Sequence, residues 1–447
     1  MPESFAQEIG LLRTLAANLE QRPLPFERIT QEYLRKEGLG RVRQHANGIT
    51  SLRMPGHHAF SDLSDCILDR LPALDRGLTY ADVQTELLAF IDSYAGREPA
   101  SVGSKEVETL LAHFQTWFAG KASSWRIFVP CLLARTPAPR FAVGPVTFEF
   151  IDNVVTSDFY PRDGTAGLDR RGFDDLLGWM REHDADWLAR ISVEGCEQHR
   201  AEEIGELAVD LAIVALQLSA PSLGTNTMGR LDTRRGTSEK RTVAETDGFY
   251  NTGWSSKLPG LSIGHGTLEA ILQKAAPVFT AVGNIVQSFT SGSFRLPALE
   301  RAWCDAAYWL HQALVESLDT IATAKLETAL EVLVGSESTK GSERRILQIV
   351  TAFFGLEADE PILQGSRLTA QQFARRIVRD RSRILHGTWS TLRARGFDRP
   401  GMEGFVITTI RMAAVELEAY AQSKNPADNV DDFLRWVREK ERLRKPK

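Results

Sequence analysis

Apolar residues recur at helical spacing over most of the chain and alternate at strand spacing only in its middle. Phe5, Ile9, Leu12, Leu15 and Leu19 keep a period of about 3.6 residues, Thr79 to Ile91 keeps it more strongly, and Glu106 to Phe118 repeats it. Residues 1–122 are therefore expected to be mostly helical. From Trp125 the texture changes. Trp125 to Ala134 and Gly144 to Ile151 are rich in β-branched and aromatic residues, and Val146, Phe148 and Phe150 alternate with Thr147 and Glu149. The two segments predict a hairpin around Thr136-Pro-Ala-Pro, with Pro130 placing the first strand at an edge or a bulge. Helix is then expected over Phe173 to His183, strand over Trp187 to Val193, a strongly apolar helix over Ala201 to Leu218, and loops and strands from Pro221 to Pro259. Residues 123–293 thus have an α+β pattern without a βαβ fingerprint, to which the residues themselves assign no chemistry.

Gly-Ser-Phe-Arg-Leu-Pro at 292–297 marks the next boundary. Beyond it Trp303, Ala306, Ala307, Leu310, Leu314 and Ile321 keep helical spacing, followed by Leu326, Ala329, Leu330 and Leu333, which predicts two long helices or one broken one. Further helices are expected over Glu343 to Phe354, Thr369 to His386, Val406 to Leu417, and briefly around Phe433 to Val437. Residues 294–447 then make an up-and-down helical bundle. The fold class that follows is mainly α, with an α+β middle region and an all-α C-terminal bundle.

The helix over Thr369 to His386 departs from an ordinary amphipathic pattern. Thr369 and Gln372 form a capping box at its start, and Gly387 supplies a left-handed stop at its end. With Phe373 at zero and about 100° per residue, Ile384, Ile377, Ala374, Leu385 and Val378 fill an apolar arc from about 20° to about 140°. Arg375, Arg376, Arg379, Arg383 and His386 lie between about 200° and 300°, on the polar side. Arg381 falls at about 80°, inside the apolar arc. A guanidinium cannot shed its charge, so Arg381 requires a buried carboxylate, a polar cleft or a partner subunit. Glu331, at the edge of the apolar face of its own helix, is the expected partner.

Composition sets limits on this reading. The net charge of −5 argues against a generally basic nucleic-acid coat, so any contact with RNA must use a local patch. Such a patch exists, because Arg375 to Arg395 contains seven arginines and a single acid, Asp380. Arg230, Arg234, Arg235, Lys240 and Arg241 form a second cluster, which reads as a solvated loop. Cys66, Cys131, Cys196 and Cys304 are far apart and form no C-x-x-C pair, so neither a zinc ribbon nor a disulfide framework is expected. The histidines show no metal-spaced pair beyond the adjacent His57 and His58, and no phosphate-binding glycine loop occurs. No metal and no cofactor are expected. Met-Pro-Glu-Ser-Phe-Ala-Gln-Glu does not read as a signal peptide, and the apolar run Leu207 to Leu218 is too short for a bilayer, which leaves the cytoplasm as the default location.

Arg381-Ser-Arg-Ile-Leu-His386-Gly387 resembles the Arg-polar-x-x-x-His motif of HEPN ribonucleases, in the Apea-like branch where Arg-Ser and His-Gly are typical. Lys325-Leu-Glu-Thr-Ala-Leu-Glu331 is similar to that branch's Ala-Leu-Glu helix, and Arg344 to Phe354 fits the helix that follows. The resemblance covers residues 294–447. Arg53-Met-Pro-Gly-His-His58 also spells Arg-x4-His, but Pro55 and Gly56 argue against a continuous helix there, so helical context gives the motif its meaning.

The resemblance implies a metal-independent endoribonuclease of the toxin or antiphage-defence kind. Two bundles would pair as a homodimer, with residues 1–293 responding to a trigger. Arg381 and His386 would be catalytic, Glu331 and Ser382 supporting, and Arg375, Arg376, Arg379 and Arg383 would bind the RNA, transfer RNA being one candidate. His386 sits at the negative end of the helix dipole, which suits a positively charged imidazole and leans it toward an acid or electrostatic role. Arg379 fits the looser Arg-x6-His form and lies within about 20° of His386, whereas Arg381 lies about 140° away. Arg381 is preferred, because its apolar position demands an explanation and Ser382 follows it. The competing readings are a non-catalytic HEPN-like module that binds nucleotide or RNA, and a bundle that only dimerises.

Overall fold

The computed structural model describes residues 5–22, 34, 38–45, 48–161, 167–233, 238–257, 260–335, 339–363, 367–389 and 398–444. Contacts divide the chain into two compact units, Met1–Trp125 with Val193–Glu203, and Arg126–Ser192 with Ile204–Lys447. The fold is mainly α with a sheet-containing middle region.

The first unit contains α1 (Ala6–Asn18), β1 (Leu19–Arg22), β2 (Leu39–His45), β3 (Gly48–Arg53), α2 (Met54–Arg70), α3 (Pro72–Gly77), α4 (Tyr80–Ile91) and α5 (Ser104–Ala119). Its core joins Leu12 and Leu15 to Phe60, Leu63 and Ile67, then to Val83, Leu87, Val107 and Phe114. The antiparallel sheet β1-β3-β2 was not expected in a region read as helical. Its strands are short and half polar, so their alternation is faint beside the flanking helices. The Arg53 segment also corrects the expectation. A helix does begin there, at Met54, because a proline in the first turn removes an N–H that has no intrahelical partner anyway, and Arg53 stands outside as the N-cap.

β4 (Ser123–Leu132), most of which belongs to the second unit, does not form the expected hairpin with Val146–Phe150. The sheet order is β5-β6-β7-β4-β8, with β5 (Phe141–Val143), β6 (Val146–Phe150), β7 (Trp187–Cys196) and β8 (Gly229–Arg230). The tight turn lies instead at Gly144-Pro145, where Gly144 has φ +56°. Only glycine fits, since a Cβ there would stand 2.1 Å from the Gly283 carbonyl oxygen. Short α6 (Ile151–Val154) and α7 (Gly167–Glu182) separate β6 from β7, and α8 (Gln198–Ser219) separates β7 from β8. A two-stranded ribbon of β9 (Ser238–Thr246) and β10 (Phe249–Lys257) follows.

The helices that carry the site are α9 (Thr267–Lys274), α10 (Ala276–Ser291), α11 (Pro297–Leu314), α12 (Asp319–Leu333), α13 (Thr339–Phe354), α14 (Ala370–Leu385), α15 (Arg399–Ala421) and α16 (Val430–Arg444). α11 packs along α12, α14 packs on α12 and α13, and α15 lies against α10, α11 and α12. Trp303, Leu310, Leu326, Leu330, Ile346, Val350 and Ile410 are buried between them. Among the described residues no helix is long and apolar enough to cross a membrane.

Candidate functional site

α14 is built as its sequence dictates. The Thr369 hydroxyl accepts the Gln372 backbone N–H, and the Gln372 side-chain Oε1 accepts the Thr369 backbone N–H at 3.2 Å, so two orphan donors are satisfied together. Gly387 ends the helix at φ +66°. Ala374, Ile377, Val378 and Ile384 are buried on one face. Leu385, placed on that face by periodicity, is instead 60% exposed. Asp380 is buried, at about 340° on the wheel and beside the apolar arc.

Arg381 meets the requirement its position imposes. Its Nε lies 3.2 Å from Glu327 Oε2 and its Nη2 3.2 Å from Glu331 Oε2, both carboxyls coming from α12. Glu331 also accepts the Ser342 hydroxyl. Glu327 is fully buried, and as a carboxylate it would have no well-directed donor on either oxygen. Burial first, and then the neighbouring Glu331 charge, push its carboxyl up to about 9 against the opposing pull of Arg381. At neutral pH Glu327 is therefore an acid able to donate its proton to Glu331, and one guanidinium faces one carboxylate. Sequence reading found Glu331 and missed Glu327, although a spacing of four residues puts both on one helix face.

The structure separates the remaining candidates. Arg375, Arg376, Arg379, Ser382 and Arg383 line one surface groove of about 840 Å³ with Trp389. The Arg383 guanidinium lies 5.1 Å above the Trp389 ring. Arg375 reaches Glu343 at 3.5 Å, and Arg376 and Arg379 approach Asp380 at 3.6 and 3.5 Å. His386 is the exposed C-cap, its backbone N–H donating to the Ser382 carbonyl at 3.0 Å. Arg381 faces α12 while His386 faces solvent beyond the helix end, so one chain does not join the two into a single cleft.

No protein-family model, curated protein or solved structure matches the chain. The likeness to HEPN nucleases stands on the residues of α12, α13 and α14.

A second ionic site corrects the reading of the Arg230 cluster. Arg230 is buried, not solvated: its Nε bonds Asp210 at 3.1 and 3.2 Å, and its Nη1 bonds Asp232 at 2.7 Å. His311, also buried, sets Nδ1 3.0 Å from Gln217 Oε1 and Nε2 3.5 Å from Asp210. Asp210 inside an apolar run was the available signal. Lys240 and Arg241 are exposed on β9, and Arg234 and Arg235 lie outside the described residues. Burial pushes the Cys131 and Cys304 thiols up, away from thiolate chemistry at neutral pH. Among the described residues no three His, Cys, Asp or Glu side chains are arranged to hold a metal ion.

Proposed function

We propose that residues 294–447 form a HEPN-type endoribonuclease acting without a metal, with the rest of the chain restraining or triggering it. The observation that carries this reading is the groove of four arginines on α14 beside an exposed histidine, in a chain whose net charge is −5. A row of guanidinium groups beside an aromatic ring suits a single-stranded polyanion, and RNA brings its own nucleophile in the 2′-OH. The 2′-oxygen attacks phosphorus as its proton passes to a base, the bond from phosphorus to the 5′-oxygen breaks, and a proton is delivered to that oxygen. His386 supplies the imidazole for proton transfer. Arg381 stabilises charge on the phosphoryl oxygens. The products are a 2′,3′-cyclic phosphate end and a 5′-hydroxyl end.

Arg381 and His386 diverge by about 140° on one helix, so the site is completed by pairing two copies through their bundles. Glu331 and Ser382 then hold the guanidinium and the helix end in place. Mapping the product ends tests the chemistry: cyclic phosphate at each cut supports it, and 3′-hydroxyl ends would contradict it.

A second reading is favoured by one observation, the engagement of Arg381 by Glu327 and Glu331. If that contact only fastens α14 to α12, the bundle is a binding module whose arginines hold RNA without cutting it. Salt-sensitive RNA binding with the strand left intact would identify that case.

A further inference from the structure

The arginine groove on α14 is one of two neighbouring hollows. The other, of about 500 Å³, lies within the range of small-molecule pockets, about 300 to 1,000 Å³. Three phenylalanines line it: Phe405 stacks on Phe354 with ring centres 5.3 Å apart and meets Phe373 edge-on at 5.0 Å. Leu368, Arg376 and Asp380 line both hollows, so the apolar pocket opens directly from the basic groove. Asp380 is the buried charge at this junction. Among the described residues its cations are Arg379, whose Nε donates to Asp380 Oδ1 at 3.5 Å, and Arg376 at 3.6 Å. A carboxylate offers about four acceptor sites, so Asp380 retains capacity for a ligand.

We propose that this pocket takes an unpaired guanine of single-stranded RNA whose backbone runs along the arginines of α14. This rests on the reading of the groove as an RNA site. Single-stranded RNA is recognised by unstacked bases held against aromatic side chains and read on their edges. Guanine presents two adjacent donors, N1–H and the N2 amino group, which a carboxylate accepts together. Its O6 and N7 acceptors suit an arginine beside it. Asp380 and Arg376 supply that pair at the pocket mouth. Cytosine and adenine each offer a carboxylate one amino group, and uracil offers a lone N3–H between two carbonyls, so none of them forms the paired contact.

The test is fluorescence anisotropy with the full chain and four labelled pentanucleotides, UUGUU, UUAUU, UUCUU and UUUUU, carrying 2′-O-methyl sugars so that no nucleophile is present. UUGUU should bind about tenfold or more tighter than the other three, a good paired contact being worth about 1 to 3 kcal/mol of discrimination. Two variants should make the four affinities converge. Asp380→Asn removes one acceptor. Gly404→Leu fills the pocket without touching a charge, since Gly404 lines it and a Cβ there meets no atom within 4 Å. Equal binding of all four by the wild type, or a guanine preference that survives both variants, would overturn the pocket and leave the groove as an RNA site. Absence of binding to every oligonucleotide would overturn the groove and the pocket together.

Discussion

Arg381 was legible from a helical wheel because a charge on an apolar stripe has few physical solutions, and a carboxylate on the facing helix is one of them. Glu327 carried one faint signal, its spacing of four residues from Glu331, and its burial depends on the helices packed around α12, which no local pattern reveals. The Glu327 carboxyl is held up to about 9 against an ordinary 4.5. Between those values the folded chain binds more protons than the unfolded chain, so this contribution is fully present below about pH 4.5 and is lost as pH rises toward 9. Its slope is at most about 1.4 kcal/mol per pH unit. Glu327→Gln should flatten the fall in stability between pH 5 and pH 8, measured by urea unfolding; an unchanged slope would mean that Glu327 is ionised. At the same scale, Arg381→Ala should abolish cleavage while Arg379→Ala weakens it several-fold. Equal loss in the two variants would move the motif to Arg379, which lies on the same side of the helix as His386.

α14 is the element that sequence described best. Its capping box, glycine stop and buried face are local properties, set by residues within a few positions of one another. Two features escaped. Leu385 obeys the period but is not buried by any of the described residues, and Asp380 has a polar name but a buried place, since both depend on what flanks α14. The groove makes a measurable electrostatic prediction. Each phosphate neutralised on a single strand contributes about −0.7 to the slope of log affinity against log salt, so the three arginines other than Arg376 give about −2. Arg383→Ala should reduce the magnitude by about 0.7. A slope near zero would mean that the arginines do not meet the backbone.

For the whole molecule, helix was easier to read than sheet. β4 has β7 and β8 as neighbours, and β8 begins nearly 100 residues after β4 ends. No local window reveals such pairing, whereas the β5–β6 hairpin turns on Gly144. The cluster of Asp210, Arg230 and His311 is long-range in the same way, drawing on α8, β8 and α11. Arg230→Ala would leave Asp210 buried without its guanidinium and should cost about 3 to 5 kcal/mol in urea unfolding; a loss below about 1 kcal/mol would place Arg230 among surface pairs.

The central claim is that His386 belongs to a ribonuclease. It is tested by incubating wild type and His386→Ala with total bacterial RNA, each with and without EDTA, and resolving the RNA on a gel. Discrete fragments are expected from wild type in both conditions, and intact RNA from the variant. Equal cutting by the variant would contradict the role of His386, and cutting that EDTA abolishes would contradict chemistry without a metal.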